Sequence, residues 1–166
     1  MGHDSTAALL ARAMADEKGL FLQFAEKEAG LTRVVQERDW QRLEQSLADL
    51  ERLAGDIEAA EQLRHRRFQE LKQQVGVADR AGFALAVSRI PEPFRGRLAA
   101  CHEELRSAVG RVRTLSSSLA YYFRYIKESV EQILVEAFPH RRGRIYSRHG
   151  RPAETGADPV VINRSL

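Results

Sequence analysis

From Leu98 to Ile133 the chain places a contact residue at alternating steps of three and four: Leu98, Cys101, Leu105, Ala108, Val112, Leu115, Leu119, Tyr122, Ile126, Ser129 and Ile133. A strand turns over its faces every second residue, so an unbroken three–four alternation of this length fits only a helix with a coiled-coil seam. Pro91 and Pro93 precede the seam and Pro139 follows it, which predicts a helix from Phe94 to Phe138. At 1.5 Å per residue that helix is about 65 Å long. A compact domain of this size cannot cover it from end to end, so part of its stripe must meet another molecule or lie bare.

Two further helices are expected upstream. Asp4, Ser5 and Thr6 offer a cap to a first helix carrying Leu9, Leu10, Ala13, Leu20, Phe21, Phe24, Leu31 and Val35 and ending near Glu37. Asp39 then either caps a second helix or marks a bend before Trp40. From Leu43 the series 43, 47, 50, 54, 57, 61, 64, 68, 71, 75 forms a second seam, with Leu63 and Ala60 as a neighbouring stripe where Glu61 and Arg64 interrupt it. Gly76 and Gly82 frame a segment ending at Ile90, read as one short helix and a turn.

The fold class is therefore all-α: an antiparallel bundle of three long helices with coiled-coil character, a short helix between the second and third, and an irregular C-terminal tail. Aromatic content of 7% and charged content of 30% agree with long helices rather than a sheet. The bundle is expected over residues 1–139 and the tail over 140–166. Charge is unevenly placed between them. Six arginines against Glu154 and Asp158 give the segment from Pro139 onward +4 out of an overall +3, leaving −1 for the preceding 138 residues. A nucleic-acid binder more often has a strongly basic folded body.

The single cysteine, Cys101, rules out an internal disulfide framework and suits a reducing cytoplasm. No apolar run nears the roughly 20 residues of a membrane span, and the N-terminus lacks a secretory pattern, so membrane insertion is not expected. Met1, Gly2 and Thr6 match the loose myristoylation pattern, which is too short to weigh against the absence of any supporting residue.

Catalytic patterns are sparse, and no enzymatic activity, cofactor or metal is expected. Cys101 and His102 are adjacent, so on a helix they diverge by about 100° and cannot act as nucleophile and base. The five histidines include no pair four residues apart, and phosphate-loop, dinucleotide-binding and serine-elbow patterns are lacking. The basic runs Arg64 to Arg67 and His140 to Arg144 carry no interleaved aromatics and read as a solvated helix face and a helix end. The informative cluster is AYYFRYI, residues 120 to 126. Tyr122 and Ile126 belong to the seam, Tyr121 and Tyr125 form a second stripe about 100° away, and Phe123 adds a third direction. A helix apolar on more than one face needs more than one neighbour. Either the other helices cover these rings or they form a docking surface for a helical client.

The hinge-like ERDWQRLEQSLADLE, the LRHRRFQELKQQVG of the second helix, the proline-closed short segment, LAYYFRYIKESVEQIL and a terminal Tyr146-Ser147-Arg148-His149-Gly150 element followed by VVINRSL occur in an order that resembles the FlgN family of flagellar export chaperones. The family's frequent asparagines are replaced here by Thr114 and Ser116 to Ser118. The resemblance implies a cytoplasmic, non-enzymatic, ATP-independent chaperone. Its partners would be the C-terminal helical segments of hook-filament junction proteins and a membrane export-gate protein. Mapped on this chain, client binding falls to Leu119, Tyr121, Tyr122, Phe123, Tyr125, Ile126 and Ile133, and gate binding to Tyr146 and Gly150. The tail would then serve as a short linear ligand, with its arginines drawn to an acidic surface; the alternative is a tail folded back through Val160, Val161 and Ile162. Two other functions compete: a structural coiled-coil protein that forms homo-oligomers through the same seams, and a helical nucleic-acid binder.

Overall fold

The computed structural model describes residues 2–137. Among them the chain is helical, with α1 at Gly2–Gln36, α2 at Trp40–Val75, α3 at Phe83–Ser88 and α4 at Phe94–Ala137. The expected boundary at 139/140, the tail, and the proposed gate-binding residues Tyr146 and Gly150 lie outside the described residues. The chain divides into two units, residues 1–121 and 122–166.

Local chemistry sets the helix ends in the first unit. After α1, Arg38 takes a left-handed φ of 56°. Its N–H donates to the Val35 carbonyl and that of Asp39 to the Val34 carbonyl, a Schellman stop made without glycine. Asp39 then caps α2: its side chain accepts from the Arg42 N–H at 3.0 Å. The same stop recurs after α2, where Gly76 at φ 68° donates to Gln73 and Val77 to Lys72. Here glycine supplies the left-handed residue without the steric cost that Arg38 bears. The first helix departs from expectation, since it is already formed at Gly2, and Ser5 and Thr6 stand inside it rather than ahead of it. The alanine-rich stretch that follows favours extending the helix, because each added residue gains a backbone bond.

Helices α1 and α2 form an antiparallel hairpin, registered by Lys27 on Asp49 at 2.5 Å and Arg64 on Glu17 at 2.6 Å. The opening part of α4 runs alongside α1 in the same direction, and Lys18 meets Glu104 at 2.8 Å. The core of this unit draws on all four helices: Ala7, Leu10, Ala11 and Met14 from α1, Leu71 from α2, Val87 and Ile90 around α3, and Leu98 and Leu105 from α4. Phe83 of α3 lies between Phe68 and His102, its ring stacked on the imidazole at 4.2 Å. That contact gives His102 a packing role against α3. Cys101 itself is half-buried against the core.

The seam of α2 differs from the one expected in its first half. Leu50 and Leu53 are buried, Ile57, Ala60, Arg64 and Phe68 are half-buried and Leu71 is buried, whereas Leu47 is 50% exposed and Ala54 is open. Two three–four registers share positions 43, 50, 57, 64 and 71; the first half of α2 buries the one completed by 46, 53 and 60, whereas from Arg64 onward Phe68, Leu71 and Val75 pack against the core as expected. Buried charge fills part of this interface. Glu17 is 2% exposed, and burial pushes its carboxyl above the usual range while the bond from Arg64 opposes the shift. Glu28 is buried too, with one carboxylate oxygen lacking a partner among the described residues. Lys72 is satisfied by the Asp79 carbonyl and sits 4.8 Å from the Phe68 ring centroid.

Candidate functional site

Three places in the described residues could do more than hold the fold, and two resolve into structure. The basic run of α2 is largely neutralised: Arg64 pairs with Glu17 and Glu61, and Arg67 with Glu70 at 2.8 Å. Thr114, Ser117 and Ser118 spend their hydroxyls on carbonyls one turn back in α4, at 3.1, 2.8 and 3.0 Å, so they bond their own helix. Among the described residues no three His, Cys, Asp or Glu side chains gather as a metal-binding set, and no helix is long and apolar enough to cross a membrane.

The third place is the part of α4 that belongs to the second unit, residues 122–137. At about 100° per residue, Tyr122, Phe123, Ile126, Ser129, Val130, Ile133 and Leu134 fall within about 140° of the helix surface. Arg124, Lys127, Glu128, Glu131 and Gln132 occupy the other side, where Lys127 and Glu131 approach to 3.8 Å. The segment is thus a two-faced helix, with exposed Val135 the one large apolar side chain on the charged side. Its apolar face grades along the axis. Tyr122, Phe123, Ile126 and Ser129 are half-buried, with the Tyr122 and Phe123 rings tilted at 5.8 Å. Beyond them Val130 is open, Ile133 is 63% exposed and Leu134 52%.

The site residues expected from sequence separate accordingly. Tyr122, Phe123, Ile126 and Ile133 share the stripe. Tyr125, 62% exposed, stands at its edge beside the charged face. Leu119, half-buried, and Tyr121, 72% exposed, belong to the first unit. Val130 and Leu134 were not anticipated. They lie one helical turn from Ile126 and Val130 respectively, and an i, i+4 continuation from Ile126 finds both. Exposed leucine, isoleucine and valine on one helix face form a surface for non-covalent docking of another amphipathic helix, knob into hole. Full burial of such a side chain returns about 1.5–3 kcal/mol before the costs of association.

No family model, curated protein or solved structure matches the chain.

Proposed function

We propose that this protein is a cytoplasmic, non-enzymatic flagellar export chaperone of the kind the FlgN resemblance implies. It binds the C-terminal helical segments of hook-filament junction proteins and passes them to the membrane export gate. The observation that carries the reading is the uncovered apolar stripe of Val130, Ile133 and Leu134, continuous with Tyr122, Phe123 and Ile126 and edged by Tyr125. A client helix laid on it would have its own apolar face hidden, which is the physical work a chaperone of an aggregation-prone helix performs. Gate contact is assigned to Tyr146 and Gly150 on the resemblance alone.

The test is titration of the full chain with the C-terminal helical segment of a junction protein. Saturable binding is expected, with Ile133→Glu weakening it by about tenfold or more while the melting temperature stays put. Absence of binding, or equal affinity in the variant, overturns the assignment. A continued seam also suits self-association. A free protein that is a saturated oligomer with Ile133 already covered would put the structural coiled coil in the chaperone's place.

A further inference from the structure

A second surface lies wholly within the first unit, between α1 and the opening turns of α4. Ser5, Ala8, Leu9, Ala11, Arg12, Ala15, Arg97 and Cys101 line an open groove of about 450 Å³, within the range of roughly 300–1,000 Å³ typical of clefts that receive ligands. Ala8, Ala11 and Ala15 share a helical face, so their short side chains leave the space between the helices unfilled, and Leu9 on the rim is 41% exposed.

Among the described residues, the charged side chains that line the groove are both arginines. Arg12 stands on the α1 wall and Arg97 on the α4 wall, and no carboxylate lines the space among the described residues. Arg12 reaches only a loose 3.9 Å contact with the exposed Asp16. Arg97 has no carboxylate partner among the described residues. Elsewhere in this unit cations close to an inter-helix seam are paired, Lys18 with Glu104, Lys27 with Asp49 and Arg64 with Glu17. An apolar floor between two facing arginines is the complement of a helix that offers a leucine-sized ridge flanked by carboxylates. Ridges of one helix seat in the grooves of others at 8–10 Å between axes, and small residues permit the closest approach.

We propose that the groove between α1 and α4 docks an acidic amphipathic helix of a partner protein, anchored by successive apolar side chains along the Ala8 and Ala15 face and held by carboxylates on Arg12 and Arg97. This site is independent of the stripe on residues 122–137 and stands whether or not that stripe binds an export client. Cys101, the only cysteine, lines the groove and reports directly on its occupancy.

The experiment uses the full chain and a capped four-turn peptide with a leucine seam flanked by glutamates, alongside the same peptide with lysines in their place. Fluorescence anisotropy measures binding, and the rate of maleimide labelling at Cys101 locates it. The acidic peptide is expected to bind and to slow labelling about tenfold. The lysine peptide should do neither, and Arg97→Glu should weaken the acidic peptide by about tenfold, an expected scale for losing a rim charge and installing a repulsive one. Because the peptide comparison is made on the unaltered protein, it holds even if the variant unfolds. Absence of binding, equal binding of the two peptides, or binding that leaves Cys101 labelling unchanged overturns the proposal.

Discussion

The two ends of α4 carry the same seam and meet opposite fates. Between Leu98 and Ala108 the seam residues sink into a core shared with α1, α2 and α3, and Leu98 is 1% exposed. From Val130 onward residues of equal hydrophobicity stand open, Ile133 at 63%. Heptad spacing therefore specifies that a helix has a face to bury, and leaves unspecified whether the covering surface comes from its own chain. The contrast has a direct energetic reading. Truncating the first kind of residue removes packing the fold has already gained, whereas truncating the second removes packing only a partner could provide.

Leu98→Ala carries the largest effect. The side chain is fully enclosed, and its loss costs both transfer energy and a residual cavity, about 2–5 kcal/mol in sum. Denaturant unfolding of wild type and variant measures it. A loss below 1 kcal/mol would mean that the opening turns of α4 are no better covered than its end, and the comparison would collapse.

Next in size is the buried ion pair that joins α1 to α2. Arg64→Ala strips Glu17 of its partner and leaves a carboxylate enclosed, at a cost of about 2 kcal/mol near neutral pH, less than a fully buried pair because Arg64 keeps some access to water. The pH dependence has a definite sign. Burial raises the Glu17 pKa in the folded state, so its ionisation destabilises the fold above that value and the penalty is relieved as pH falls through it. With the opposing bond from Arg64 gone, the relief should be larger in the variant, and the stability gap should narrow on acidification. Asp49 and Glu92 behave oppositely. Bonds from Lys27 and Arg95 hold both carboxyls below their usual values, so they favour the fold above the ordinary carboxylate range and lose that effect as pH falls through their lowered values. Both terms are common to wild type and variant and cancel in the difference. A gap that widens in acid would show that Glu17 is not the group left stranded.

These features differ in how readable they were in the sequence. Gly76 ahead of a second glycine, and Pro91 and Pro93 ahead of Phe94, announce helix ends because backbone conformation at those residues is decided locally. Asp39 left a cap and a bend both open, and the choice rests with Arg38, whose left-handed turn no side-chain preference signals. The register of the first half of α2 was beyond reach for a geometric reason: two seams share every other position, and only the placement of α1 separates Leu47, exposed, from Leu53, buried. Glu17 and Lys72 were missed because charge normally marks the surface, and their burial depends on Arg64 and Asp79 arriving from elsewhere. At the candidate site the stripe through Tyr122, Ile126 and Ile133 was legible from periodicity, and Val130 and Leu134 were overlooked by following a seam one residue wide when helix faces are broader.

Ile133→Ala is the smallest expected change in stability and the sharpest use of the comparison. The residue sits on the same seam as Leu98 and surrenders a similar apolar volume, yet an open side chain has little packing to lose, so the free energy of unfolding should move by no more than about 0.5 kcal/mol. The measurement belongs at several protein concentrations. A loss above 1 kcal/mol that is constant with concentration would mean that the end of α4 is covered within one chain, and a loss that grows with concentration would place a second copy over it. An unchanged unfolding curve at every concentration leaves the stripe free for a different molecule, and the contrast between the two ends of one helix is then a division of labour, with one length of seam holding the fold and the other held open for a partner.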